Sequence, residues 1–110
     1  MDFITLVDAA RRLEASDIHI LADLPPCFRV NGEVKPAQAP ALTRDQIMAM
    51  IHSITNEAQR DKLDQEWELC TSMMIGDSGR VRVTFYLRAG APELAVRLCA
   101  TDIGSRESLR

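Results

Sequence analysis

Apolar residues at Phe3, Leu6, Val7, Ala10 and Leu13 recur at helical spacing, and Asp2 stands where a helix start favours a carboxylate. The opening pattern therefore predicts an amphipathic helix over residues 2–15. The period then falls to two. Ile18 and Ile20 alternate with Asp17 and His19, the pattern of a half-buried strand, and Pro25-Pro26 ends it. Residues 27–30 and 33–35 flank Asn31-Gly32, a dipeptide that tolerates the two positive φ values of a type I′ turn, so a hairpin is expected there.

Pro36 and Pro40 mark a loop. Thr43, followed three residues later by Gln46, gives a capping-box signature ahead of Ile47, Met50, Ile51 and Ile54, which predicts a second helix. Thr55 or Asn56 can cap a third, with Ala58, Leu63 and Trp67 on its apolar side and Glu57, Arg60, Asp61 and Lys62 toward water. From Glu68 onward the period is again two. Segments 69–75, 80–88 and 93–100, separated by Gly76-Asp77-Ser78-Gly79 and Ala89-Gly90-Ala91-Pro92, read as a three-stranded antiparallel meander. This order of elements predicts an α+β domain, one antiparallel sheet with helices packed on one face. Residues 101–110 have few core-forming side chains and read as the approach to a linker.

Composition narrows the picture. A chain of 110 residues, 46% hydrophobic and 26% charged, matches one compact soluble domain with a modest core. A formal charge of -3 gives no global attraction to nucleic acid or an anionic membrane, so an anion site has to come from a local group of basic residues. No run approaches the roughly 18 to 20 apolar residues of a membrane span, and Met1-Asp2-Phe3 lacks a basic region followed by an apolar stretch, so the chain reads as cytosolic. Cys27, Cys70 and Cys99 are an odd number without a Cys-x-x-Cys pair; reduced, partly buried thiols are expected rather than a disulfide or zinc framework.

Within 80–88, Val81, Val83, Phe85 and Leu87 share one face, while Arg80, Arg82, Thr84, Tyr86 and Arg88 share the other. If the next turn takes the four residues 89–92, Arg88 pairs with Glu93 and Thr84 with Arg97, which sets Arg97 diagonally from Arg82. With Glu93 as the only local acidic partner, such a group of guanidinium ions invites an external anion such as phosphate. The competing reading is a solvated sheet face. Asp17 and His19 share a strand face without a third member for acid/base or metal chemistry, His52 has no carboxylate at a ligand spacing, and no serine sits in a Gly-x-Ser-x-Gly context, so structural roles are expected for all of them. The two lysines, Lys35 and Lys62, follow Val34 and Asp61, so there is no Gly-Lys step for a Walker A loop and no P-loop hydrolysis of ATP by these residues alone.

Ala15-Ser16-Asp17-Ile18-His19-Ile20, then Pro25-Pro26-Cys27 with Arg29-Val30-Asn31-Gly32-Glu33-Val34, resembles the opening of the PilT/PilU-type pilus retraction ATPases of the GspE/PilT secretion ATPase superfamily. The resemblance continues through Leu42-Thr43, Asn56-Glu57-Ala58-Gln59-Arg60, Gly79-Arg80-Val81-Arg82-Val83 and Ala95-Val96-Arg97-Leu98, and so spans roughly residues 3–103. Ser-Asp-x-His and Pro-Pro…Arg-Val-Asn-Gly are shared with pilus-assembly and type II secretion ATPases. Cys27 leans toward the PilU-like branch, whereas Thr84, where retraction ATPases usually have Asn, and the polar Thr71-Ser72 depart from the pattern.

The resemblance implies a PAS-like amino-terminal domain over residues 1–103, with 104–110 beginning a linker to a RecA-like ATPase domain. It implies packing on the RecA-like domains of its own and a neighbouring subunit in a homo-hexamer, on the cytoplasmic side of the bacterial inner membrane, joined to the pilus machinery through partners. The motor of twitching motility would use ATP and Mg2+ in the full-length protein, with no cofactor, metal or nucleic acid held by this part. By motif, Arg82 and Arg97 match family arginines that approach the nucleotide phosphates, and Arg88 is a weaker third candidate. The alternatives are the equivalent domain of a pilus-assembly or type II secretion ATPase and, from another class, a free-standing PAS-like sensor or adaptor. An autonomous enzyme lacks a constellation to support it.

Overall fold

The computed structural model of the chain describes residues 2–75 and 79–99. Asp2 caps α1 (Phe3–Arg12), its carboxylate accepting the Thr5 backbone N–H at 2.8 Å. Hydrogen bonding from Thr5, side chain first and then backbone, holds the Asp2 carboxyl below its ordinary value. This cap therefore helps the fold above the ordinary carboxylate range and is lost as pH falls through the lowered value. The helix stops earlier than the periodicity predicts: Glu14 takes a left-handed φ of 58° and Leu13 stays 51% exposed, so Leu13 lies outside the core. The chain is thereby turned into β1 (Asp17–Leu21).

β2 (Cys27–Val30) and β3 (Glu33–Pro36) form the expected hairpin, with φ of 53° at Asn31 and 82° at Gly32. α2 (Arg44–Ile54) opens on the capping box read from the sequence: Gln46 N–H donates to Thr43 Oγ1 at 3.1 Å and Thr43 N–H to Gln46 Oε1 at 2.8 Å. α3 (Glu57–Glu66) repeats the device with Asn56 and Gln59. Trp67 does not join the apolar side of α3. It is the left-handed residue that ends the helix, φ 63°, and it is 68% exposed because that reversal swings it off the helical face.

β4 (Glu68–Met74), β5 (Arg80–Arg88) and β6 (Ala91–Leu98) form the expected meander. The expected turn residues Gly76, Asp77 and Ser78, and the expected linker residues 104–110, lie outside the described residues. The connection between β5 and β6 differs from the expected four-residue turn. Ala89 and Gly90 alone make it, with φ of 52° and 80°, and Arg88 pairs with Ala91. Every pair along these strands is thus displaced by two: Tyr86 faces Glu93, Thr84 faces Ala95 and Arg82 faces Arg97.

The six strands form one antiparallel sheet in the order β3-β2-β1-β6-β5-β4. Ile18, Ile20, Val81, Val83, Phe85, Leu94 and Val96 line one face and join Phe3, Leu6, Val7, Ile47, Ile51 and Leu63 of the three helices in a single core. This is the α+β arrangement, sheet on one side and helices on the other, that the pattern predicts. The guanidinium of Arg11 ties α1 to the far end of the sheet by donating to the Cys99 carbonyl at 2.6 Å and the Arg80 carbonyl at 3.0 Å. Phe85, fully buried, is expected to cost about 3–5 kcal/mol on truncation to Ala, and Trp67→Ala less than about 0.5 kcal/mol, in urea unfolding followed by circular dichroism.

A cationic row on the open sheet face

Because side chains alternate along each strand, the same register that buries Val81, Val83 and Val96 turns Arg82 and Arg97 to the opposite, helix-free face. Reading across the sheet through Arg82, the paired residues are Ser72, Arg82, Arg97, Asp17, Arg29 and Val34, from β4 to β3. Neighbouring strands lie about 4.8 Å apart, so three guanidinium groups and one carboxylate form a row over roughly 14 Å. Arg97 Nε is 3.4 Å from Asp17 Oδ1, Arg29 Nε is 4.0 Å from Asp17 Oδ2, and Ser16 Oγ donates to Asp17 Oδ2 at 2.8 Å.

Arg82 is exposed and, among the described residues, its side chain makes neither an ion pair nor a hydrogen bond. It faces Arg97 directly, a closer approach than the diagonal relation expected from a four-residue turn. Like charges opposite one another destabilise a strand pair. An open depression of about 340 Å3 lies over this pair, lined also by Asp17, His19, Cys70 and Thr84. Among the described residues no hydrogen bond joins His19 to Cys70, whose Sγ accepts from Thr84 Oγ1 at 3.6 Å. The chemistry available to exposed guanidinium groups is electrostatic, with bidentate donation to phosphate-like anions.

Arg88 stands apart from this group. Six positions along β5 from Arg82, or roughly 20 Å, its Nε contacts Glu93 Oε2 at 3.1 Å and its guanidinium sits 4.8 Å from the Tyr86 ring centroid. Glu93 is not the only acidic residue beside the arginines, as local spacing suggests, because Asp17 arrives from β1. Asp17 and Arg29 are the row members that strand-by-strand reading misses. They enter only through the pairing of β1 with β6, between residues some 80 positions apart. His19 shares their face, and no three His, Cys, Asp or Glu side chains among the described residues gather as metal ligands. All three cysteines are free; Cys70 is exposed rather than partly buried.

No family model matches the chain. Over 86 residues, 78% of the chain, it is 34% identical to the type IV pilus retraction ATPase PilT of Pseudomonas aeruginosa. Over all 110 residues it is 27% identical to the type IV pilus ATPase PilU of the same organism. The matched parts are 25% and 29% of those proteins, so the chain spans between a quarter and a third of the curated relatives it matches. A crystal structure of the pilus retraction motor PilT with bound ADP superposes with a TM-score of 0.86 at 27% identity, covering 93% of this chain and 30% of that one. The ATPase DotB of Legionella pneumophila shares the fold, with a TM-score of 0.73 at 24% identity over 87% of this chain and 28% of that one.

Fold and sequence together give the class: an amino-terminal domain of the GspE/PilT secretion ATPase superfamily. Within that superfamily the chain is homologous to the pilus ATPases PilT and PilU. The facing arginines make one prediction independent of any ligand. Arg82→Gln is expected to stabilise the fold by about 0.3 kcal/mol at low ionic strength, with the gain vanishing near 1 M salt, as read from urea midpoints.

Proposed function

We propose that this chain is the regulatory and oligomerisation domain of a hexameric type IV pilus retraction motor, and that Arg82 and Arg97 contact nucleotide phosphates bound by an ATPase domain. The observation that carries the reading is the direct apposition of these two exposed arginines, one of them without a counter-ion among the described residues. Such a pair has unmet electrostatic demand, and a polyphosphate meets it better than water does. The similarity to PilT and PilU supplies the context in which ATP with Mg2+ is the polyphosphate.

In this reading residues 1–103 are the domain and 104–110 begin the linker to a RecA-like ATPase domain. The domain packs on RecA-like domains of its own and a neighbouring subunit, in the cytoplasm, with the ring attached peripherally to the inner membrane through the pilus machinery. The arginines then act by charge, stabilising the γ-phosphate and coupling its presence to movement between domains. They are neither nucleophiles nor bases. Arg88, held by Glu93 and stacked on Tyr86, contributes less to this site than Arg82 or Arg97.

The test is ATP hydrolysis by the full-length protein that carries this domain. Arg82→Ala and Arg97→Ala are each expected to lower kcat/KM by about tenfold, or about 1.4 kcal/mol, with the ring intact by analytical ultracentrifugation. Arg88→Ala is expected to stay within about twofold of the parent. Unchanged hydrolysis in the first two variants would leave the cationic face as a solvated surface and reject the proposal.

A further inference from the structure

The row contains a carboxylate in an unusual position for an anion site. Asp17 is not at its edge but between two of the three arginines, directly opposite Arg97 on one side and Arg29 on the other. Its side chain is 18% exposed, whereas those of Arg97 and Arg29 are 75% and 46% exposed. The carboxylate is thus a fixed part of the sheet, further anchored by the Ser16 hydroxyl, and the guanidinium groups are the parts free to leave it. An ion pair this exposed is weak, worth little against solvent and easily exchanged.

We propose that Asp17 is a built-in competitor for Arg97: an internal anion that holds this guanidinium until a polyphosphate takes it, and so sets the affinity of the site. Arg29 supports the exchange from the other side, keeping a cation beside Asp17 when Arg97 swings toward the ligand. Arg82, whose side chain has no ion-pair partner among the described residues, makes the first contact, and Arg97 is recruited from Asp17 afterwards. This proposal rests on the phosphate-binding reading above and names the device that regulates it.

The arrangement has an arithmetic consequence. Three guanidinium charges and one carboxylate leave the row with a net charge of +2, and neutralising Asp17 raises it to +3. One unit charge removed about 6 Å from a polyanion, in a water-like dielectric, changes its affinity by roughly threefold for each ligand charge it meets. An effect of this size is readable at low salt and screened at high salt.

The experiment titrates inorganic tripolyphosphate into the 110-residue chain at low ionic strength, with binding read from amide chemical shifts of β5, β6 and β1. Asp17→Asn, nearly isosteric, is expected to tighten binding at least threefold. Arg29→Gln is expected to weaken it in both backgrounds through the lost charge, and by more in the parent, where Asp17 then grips Arg97 alone, than in the Asp17→Asn background, where there is no competitor left to occupy. Weaker or unchanged binding in Asp17→Asn, or an equal loss from Arg29→Gln in both backgrounds, overturns the competitor role. The underlying reading fails in a different way, with tripolyphosphate binding unaffected by Arg82→Ala. Should Asp17→Asn disturb the fold, seen at once in the same spectra, Asp17→Ser provides the second route. By removing the same charge with a smaller polar side chain it is expected to tighten binding in the same direction, and no gain there also overturns the proposal.

Discussion

The antiparallel pairing of β1 with β6 is the contact on which the rest of this molecule depends. It joins a strand near the beginning of the chain to the last strand described, five pairs long from Asp17↔Arg97 to Leu21↔Glu93, and so fuses a hairpin and a meander into one sheet. Without it neither half has a continuous apolar face for the helices. Ile18 and Ile20 come from one side of the seam, Leu94 and Val96 from the other, and all four are essentially inaccessible to solvent. Closing a contact across some eighty residues carries an entropic penalty that local hydrogen bonds do not cover, so burial along the seam must offset it.

The same seam makes the polar face. Pairing puts Asp17 against Arg97 as surely as it puts Ile18 against Val96, because the two faces alternate along a single backbone. Core and site are therefore not separate inventions in this fold. Whatever fixes the apolar register fixes the spacing of the charges, and the charges cannot be rearranged without moving the core. Arg11, reaching from α1 to the carbonyls of Cys99 and Arg80, adds a helix to the same rigid unit.

How much of this was legible in the sequence depended on distance along the chain. Elements set by local chemistry were readable: the Asn31-Gly32 turn, the capping boxes at Thr43 and Asn56, and the alternation in residues 80–88 each carry their physical cause within a few residues. Errors arose where two local rules competed. Trp67 fits the apolar spacing of α3, yet the backbone reverses at that residue, and Leu13 likewise falls beyond the end of α1. Ala89-Gly90-Ala91-Pro92 looks like a four-residue loop because Pro is a common loop residue, but Ala89 accepts a positive φ and a two-residue turn results. Arg82 and Arg97 were legible as one group, whereas Asp17 and Arg29 were not assigned to it, since only the long-range pairing brings them there.

That short turn has a significance beyond its own geometry. Strand faces have a period of two, so the number of residues between β5 and β6 decides which side of the sheet each β6 residue occupies. One residue more at Ala89-Gly90 would present Arg97 to the helices and Val96 to water; two more would restore the faces but slide Arg97 out of line with Arg82. The identity of the site is written there as a parity and an offset rather than as a motif, and a chain with every arginine preserved can still lose it through a change in length seven residues away.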